Sequence, residues 1–186
     1  MDNSQPNRCK RRQRLKPRVT AEPLTDYRML ARAAGITAHG AEIRAPLSRW
    51  YRAEHSPIRC LLWWIELRGI SYRVSVHLVR HKVGAEHYVS TTRPDLAPDG
   101  GSDSKSAPVN HGMLVNAQAL ITMSRKRLCY RSHRQTIETW LRVRRAVGEH
   151  DTDLRDAMVP ECVYRGRCPE MTKCHIGEDQ VKRGYR

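Results

Sequence analysis

The apolar run at residues 60–65 constrains the fold most, and it lies within a stretch at residues 58–67 rich in Ile, Leu and Trp. The run is far shorter than the roughly 20 apolar residues of a membrane span, and its length suits a β-strand. Gly69, two residues beyond this stretch, marks the expected end of the strand. A chain of 186 residues is long enough for one domain with a core and marginal for two.

Helical patterns are expected on both sides of this strand. The strongest is predicted over residues 110–147 with a break near residues 130–132, and residues 92–107 are predicted to form a loop. Shorter helices are predicted at residues 25–34 with Thr25 as N-cap and Gly35 as stop, at residues 46–51, and from residue 70 to about residues 80–83. The order helix, strand, helix, loop, helices predicts an α+β domain.

The charge of the chain indicates an anionic partner. The formal net charge is +15 and the pI is about 10.1. Nucleotides, flavin phosphates, folate carboxylates and nucleic acid all satisfy this requirement. No apolar segment precedes a cleavage site, and no stretch is long enough to span a membrane, so the expected location is cytoplasmic.

Part of the charge lies at the N-terminus. Residues 1–20 carry seven Lys or Arg and one acidic residue, with almost no apolar periodicity. This composition predicts a basic, flexible arm at residues 1–20 and a single domain at residues 21–186. The arm is either a solvated tail or a non-specific contact to nucleic acid.

Residues 79–93 hold the densest group of candidate site residues. The segment contains cations, imidazoles and hydroxyls, which are the groups that bind phosphate or a pyrimidine. A solvated basic helix end followed by a loop is the competing interpretation. Arg80, His81 and Ser90 match the Arg-His-Arg signature and later Ser of the flavin-dependent thymidylate synthases, with Lys82 as the third basic residue.

Further blocks strengthen the resemblance to this family because they follow in the same order. Residues 116–120 and 125–129 resemble its later helix, which begins Asn-Ala-Arg. Residues 55–58 resemble its His-containing segment before the central strand, and residues 160–170 resemble the tails of short members. The resemblance covers about residues 45–175.

The resemblance implies a fold with a central antiparallel sheet and helices, and an active site with two sides. On the nucleotide side, the resemblance implies that Ser90 and Arg127 are catalytic residues that contact dUMP and that Arg93 is a further substrate contact. The flavin side implies five residues that hold FAD: His55, Arg80, His81, Lys82 and Asn116.

The implied activity is methylation of dUMP to dTMP. In this family methylenetetrahydrofolate supplies the carbon unit, FAD carries it, and NADPH reduces the flavin. The resemblance also implies a homotetramer whose active sites are shared between subunits. Arg donors would stabilise charge that develops on the uracil carbonyls, and the flavin supplies redox chemistry that no side chain has.

Several positions depart from the family pattern. Lys82 lacks the rigid fork of Arg. Thr92 stands where the family has Arg, so that Arg93 follows one residue late, and Gln118 and Thr122 replace a basic residue and an Asn. These departures keep two alternatives open: a catalytically weakened nucleotide- or flavin-binding homologue, and a basic nucleic-acid-binding protein.

The six cysteines include three near the C-terminus, Cys162, Cys168 and Cys174. Zinc sites usually contain a pair of ligands two to four residues apart, and the spacing here is wider. Free thiols in an irregular tail are therefore favoured, and no metal is assigned. Cys129 completes a set of four ligands only if the fold brings it close.

Overall fold

The computed structural model describes residues 17–40, 45–97, 101–102, 104–174 and 176. This part of the chain has an α+β fold with one four-stranded antiparallel sheet. The strands are β1 (Arg18–Pro23), β2 (Leu62–Ser71), β3 (Ala85–Val89) and β4 (Pro108–Asn116), and they lie in the order β1-β2-β4-β3. The predicted α+β class and central antiparallel sheet are confirmed.

Seven α-helices and one 3-10 helix accompany the sheet in the described residues. They are α1 (Tyr27–Thr37), α2 (Leu47–Ala53), the 3-10 helix (Ser56–Cys60), α3 (Tyr72–Leu78), α4 (Ala117–Arg127), α5 (Arg134–Gly148), α6 (Thr152–Ala157) and α7 (Glu161–Arg165). None of the helices in these ranges is long and apolar enough to cross a membrane.

The predicted strand is one of the two inner strands of the sheet, although it is shifted toward the C-terminus. The 3-10 helix takes up residues 56–60, and β2 then runs from Leu62. Alternate side chains of β2 point into the core, so Trp63, Ile65 and Leu67 are buried. Ile65 pairs with Ala21 of β1 on one side and with Met113 of β4 on the other.

The core lies between one face of the sheet and the helices. Trp140 of α5 is completely buried, and its indole Nε1 donates to Ser124 Oγ of α4 at 2.8 Å. Ser124 Oγ in turn donates to the carbonyl of Leu120 at 2.7 Å. This chain of hydrogen bonds satisfies the only polar group of a fully buried Trp, and it fixes α5 against α4.

The helix predicted from residue 110 is wrong over its first seven residues, which belong to β4. Val109, His111, Met113 and Val115 are all buried, which is the period of two of a strand. The helix α4 begins only at Ala117, where the Asn116 side chain accepts a hydrogen bond from the Ala119 amide at 2.8 Å. The predicted break near residues 130–132 is confirmed, because α4 ends at Arg127 and α5 begins at Arg134.

Three boundaries near the N-terminus also differ from the predicted ones. The N-cap of α1 is Asp26 and the helix continues through Gly35 to Thr37. The Thr25 hydroxyl instead donates to the Cys60 carbonyl at 2.7 Å and accepts from the Leu62 amide at 2.8 Å. The predicted arm is too long by three residues, because residues 18–20 pair with β2 as part of β1. Residues 1–16 lie outside the described residues.

Gly84 offers a test of this architecture. Its φ is +73°, and a Cβ added there would lie 2.6 Å from Asn116 Nδ2. We expect Gly84→Ala to lower the free energy of unfolding by about 1–3 kcal/mol, because of the left-handed backbone and the displaced amide. Urea denaturation measures the loss.

Gly35→Ala is the matched control, because Gly35 lies inside α1 with no atom within 4 Å of an added Cβ. We expect it to raise the free energy of unfolding by about 0.5–1 kcal/mol, the helical preference of Ala over Gly. A Gly84→Ala protein as stable as the parent would contradict the close approach of Gly84 and Asn116.

Candidate functional site

The predicted signature segment surrounds the turn between α3 and β3. Arg80, His81 and Lys82 follow α3, and the His81 amide donates to the Leu78 carbonyl at 3.0 Å. His87 lies in β3, and Ser90 is the first residue after this strand. The last residue of α4, Arg127, reaches this turn from a different part of the sequence.

His81 and Arg127 form the centre of the site. Arg127 Nε donates to His81 Nε2 at 2.8 Å. Burial, followed by the charges of Arg127 and His87, lowers the pKa of His81 to about 4. At neutral pH the ring is therefore neutral, and it carries its proton on Nδ1 because Nε2 accepts from the guanidinium.

A second imidazole pair fixes the position of His81. His87 Nε2 donates to the His81 carbonyl at 2.7 Å, and His87 Nδ1 lies 3.0 Å from His111 Nε2. A carbonyl only accepts, so His87 Nε2 carries a proton. Burial first, and then the charge of His87, lowers the pKa of His111 to about 4.

The site holds a surplus of positive charge. Burial and then the charge of Arg80 lower the pKa of Arg127. Burial lowers the pKa of His77 most, and Arg127, His133, Arg80 and Arg73 lower it further. Among the described residues, neither Arg80 nor Arg127 has a carboxylate partner within 4.0 Å. An anion placed here would relieve this repulsion.

His77 connects the site to α5. Its Nδ1 lies 2.8 Å from Thr136 Oγ1, and its ring meets the ring of His133 edge-on at 5.9 Å. His77, His87, His111 and His133 were not predicted as site residues. The signal for His87 was its place in the signature segment, whereas His111 requires the pairing of β3 with β4.

Asn116 lies on a second side of the turn between α3 and β3 at residues 79–84, called the signature turn below. Its backbone amide donates to the Gly84 carbonyl at 2.9 Å, while its side chain caps α4. The structure therefore brings Asn116 next to the turn that follows Arg80, His81 and Lys82. Arg80 and Lys82 are themselves exposed to solvent.

His55 and Gln118 belong to a separate set of contacts. His55 precedes the 3-10 helix, is exposed, and meets Trp50 edge-on at 5.7 Å. Gln118 Nε2 donates to Glu54 Oε2 at 2.5 Å, and Arg125 forms an ion pair with the other oxygen of Glu54. The Gln118 amide is thus engaged by a carboxylate.

The remaining predicted residues make contacts of their own. Ser90 continues the pairing of β3 with β4, because its amide donates to the Asn110 carbonyl at 2.9 Å and its Oγ accepts from the Asn110 amide at 3.0 Å. Arg93 is exposed and makes two hydrogen bonds to Asp95, at 3.1 and 2.5 Å. Arg93 thus binds Asp95, whereas Arg127 binds His81.

A cavity of about 650 Å³ opens elsewhere, where the start of α1 faces Tyr51 and Trp63. None of the predicted site residues lines it. Its polar groups include Arg28, Arg32 and Asp151, and the Asp151 carboxylate accepts from the Tyr51 hydroxyl at 2.6 Å. That hydrogen bond and burial raise the pKa of Tyr51, burial being the larger cause.

Comparison with solved structures finds the same fold in a known enzyme. One match is thymidylate synthase X (ThyX) from Helicobacter pylori with FAD and dUMP, with a TM-score of 0.59 and 13% identity over 75% of this chain and 99% of that one. Another is the flavin-dependent thymidylate synthase ThyX from Helicobacter pylori complexed with FAD and dUMP, with a TM-score of 0.59 and 14% identity over 75% and 98%. No family model and no curated protein matches the chain.

The buried imidazoles predict a stability that depends on pH. The pKa of His111 is about 4 in the folded protein, against 6.5 for the unfolded chain. Between these values the unfolded chain binds a proton that the folded protein does not. The free energy of unfolding therefore has its full value above about pH 6.5 and falls as the pH drops toward 4. We expect the free energy of unfolding of the His111→Gln protein to fall by up to about 3 kcal/mol less than that of the parent over this pH range.

Urea midpoints measured at several pH values between neutral and about 4 provide the test. The control is His39→Asn, because His39 is exposed in the turn after α1 and its φ of 51° suits Asn. The control should keep the pH profile of the parent. Identical profiles for the parent and the His111→Gln protein would contradict a buried neutral imidazole.

Proposed function

We propose that the chain methylates dUMP to dTMP, with FAD as carrier, methylenetetrahydrofolate as carbon donor and NADPH as reductant. The observation that carries the proposal is the half-buried Arg127 guanidinium, which donates to a neutral His81 and has no carboxylate partner among the described residues. A cation held in this way is suited to an anionic ligand. The fold shared with ThyX supports the same assignment.

Arg127 is suited to the nucleotide because of the hydrogen bond that it already makes. Its Nε is bound to His81, and its two terminal nitrogens have no partner in the described part of the chain. These nitrogens present a pair of donors in one plane, which matches two phosphate or carbonyl oxygens. The neutral ring of His81 orients the guanidinium without cancelling its charge.

The residues around the signature turn fit the second anion, FAD. Arg80 and Lys82 are exposed cations that flank His81, and Asn116 holds the turn through Gly84. When bound, the flavin would supply electron transfer and carry the one-carbon unit. The cations would bind its phosphates, with His55 approaching from the start of the 3-10 helix.

Ser90 and Arg93 complete the proposed nucleotide side. Arg93 is paired with Asp95, and both side chains are more than half exposed, at 67% and 59%. Such a surface pair contributes about 0–1 kcal/mol, so a nucleotide phosphate is able to replace the carboxylate. Ser90 keeps its hydroxyl hydrogen free to donate when its oxygen accepts from Asn110.

Shared active sites in a homotetramer are part of the proposal. Helix α1 and the residues before it expose large apolar side chains to solvent, at Leu24, Tyr27, Met29 and Ile36. Ile36 is 77% exposed, and burial of such side chains in a subunit interface would be favourable. We propose that the assembled protein functions in the cytoplasm and that the basic arm gives it a weak, salt-dependent affinity for nucleic acid.

The main competing function is a flavin- or nucleotide-binding protein with weakened chemistry. The Glu54 carboxylate favours it, because this group engages both Gln118 and Arg125. Gln118 stands where the family has a basic residue on the flavin side. This position therefore presents a neutral amide bound to a carboxylate, in place of a free cation, which would weaken the affinity for a flavin phosphate. Oxidation of reduced flavin that requires both dUMP and methylenetetrahydrofolate distinguishes the enzyme from the binding protein.

The flavin side predicts how FAD binding responds to two substitutions. We expect Arg80→Ala to weaken FAD binding at least about tenfold, and Lys82→Arg to strengthen it, because Arg binds phosphate with two parallel hydrogen bonds. Titration of the purified protein with FAD, followed by flavin absorbance per protomer after gel filtration, measures both effects.

The matched control for FAD binding is Arg49→Ala, because Arg49 is an exposed cation on α2, outside the proposed site. It should bind FAD like the parent. If the parent protein takes up no FAD at any concentration tested, the enzyme proposal is wrong.

The nucleotide side predicts a different response. We expect Arg127→Ala to weaken dUMP binding by about 2–3 kcal/mol while most FAD is retained, because a charge-assisted contact in a half-buried site is lost. Calorimetric titration of FAD-loaded protein with dUMP measures the change, again with Arg49→Ala as control. Unchanged dUMP affinity in a folded Arg127→Ala protein would exclude Arg127 from the site.

A further inference from the structure

Both backbone polar groups of His81 are held by hydrogen bonds. Its amide donates to the carbonyl of Leu78, the last residue of α3, at 3.0 Å. Its carbonyl accepts from His87 Nε2 of β3 at 2.7 Å. The first bond ties His81 to the end of α3, and the second ties it to the sheet. His87 therefore fixes the peptide unit of His81 against β3.

The His87 ring is itself held by the neighbouring strand. Its Nδ1 lies 3.0 Å from Nε2 of His111, which is completely buried in β4, and the two rings meet edge-on with centroids 5.2 Å apart. Either ring is able to donate in this contact, and in both cases His87 Nε2 keeps the proton that it gives to the His81 carbonyl. The buried imidazole of β4 thus restrains the plane of the His87 ring.

His81 transmits this restraint to Arg127. Arg127 is the last residue of α4, it is half-buried, and its Nε donates to His81 Nε2 at 2.8 Å. Because both backbone groups of His81 are bound, its ring moves only by rotation about the side-chain bonds. The guanidinium is thereby oriented before a ligand arrives, so that binding an anion does not have to order a long flexible side chain.

We propose that His87 is a positioning residue for Arg127, that it acts through the His81 carbonyl, and that it thereby raises the affinity of Arg127 for dUMP. This role rests on the proposed nucleotide site, since dUMP is its ligand. Arg127 is the group that binds the nucleotide, and His87 takes no part in a covalent step.

Two substitutions separate the two hydrogen bonds of the His87 ring. The amide nitrogen of Gln reaches the place of imidazole Nε2, so His87→Gln keeps a donor for the His81 carbonyl and loses the contact with His111. The shorter Asn reaches only the place of Nδ1, so His87→Asn keeps a polar contact with His111 and loses the donor. A general effect of losing the imidazole would appear in both variants.

Calorimetric titration with dUMP in excess FAD measures the effect on the nucleotide site. We expect His87→Asn to weaken dUMP binding about three- to tenfold, which is the cost of ordering one flexible side chain on binding, and His87→Gln to bind within about twofold of the parent. His150→Asn is the control, because His150 is exposed in the turn between α5 and α6 and its ring contacts Trp63. It should bind dUMP like the parent.

A second measurement tests the positioning role without a ligand. In protein containing isotope-labelled arginine, NMR identifies the Arg127 Nε–H signal by its loss in Arg127→Ala. This hydrogen should exchange slowly with water in the parent and in His87→Gln, and rapidly in His87→Asn, because a hydrogen-bonded and half-buried N–H is protected.

The two measurements distinguish failure of the positioning role from failure of the proposed function. An unchanged Arg127 signal in His87→Asn would overturn the positioning role, and so would an equal loss of dUMP affinity in the Gln and Asn variants. A parent protein that binds no dUMP, but whose Arg127 signal responds to the two substitutions as expected, would contradict the proposed function and support the positioning of Arg127 by His87.

Discussion

The junction between β4 and α4 is the constraint on which the rest of the structure depends. At Asn116 the backbone amide donates to Gly84, and the side chain caps α4. One residue later, the Ala117 amide donates to the Leu61 carbonyl at 2.9 Å. These bonds end the sheet, start the helix and attach the signature turn to both. The direction of α4 follows from them, and that direction delivers Arg127 to His81.

This junction is also where prediction from the sequence failed, and the reason is physical. In β4 the core positions alternate from Val109 to Val115, but one of them is His111, a polar residue that is completely buried. A buried His interrupts the apolar alternation that indicates a strand, while Leu114 and the apolar residues of α4 continue a helical pattern. Only the partner of His111 in β3 explains why a polar group is tolerated at this position.

The candidate site was predictable where its residues lie in segments that resemble family motifs. The signature segment identified Arg80, His81 and Lys82, and the later helix identified Arg127, because these residues resemble motifs. The pairing of His87 with His111 depends on the register that places His87 opposite Met113, and on a diagonal contact across β3 and β4. No pattern in either segment contains that information. The roles of these residues toward FAD and dUMP remain predictions.

Arg125 connects features that appear unrelated in the sequence. Its guanidinium pairs with Glu54, beside His55, and it also stacks on Tyr164 of α7. Glu54 has a φ of 52°, an uncommon backbone for a non-glycine residue, and its carboxylate is shared by Arg125 and Gln118. Anything that orders α7 therefore restrains Arg125, and Arg125 restrains the carboxylate next to the proposed flavin residues.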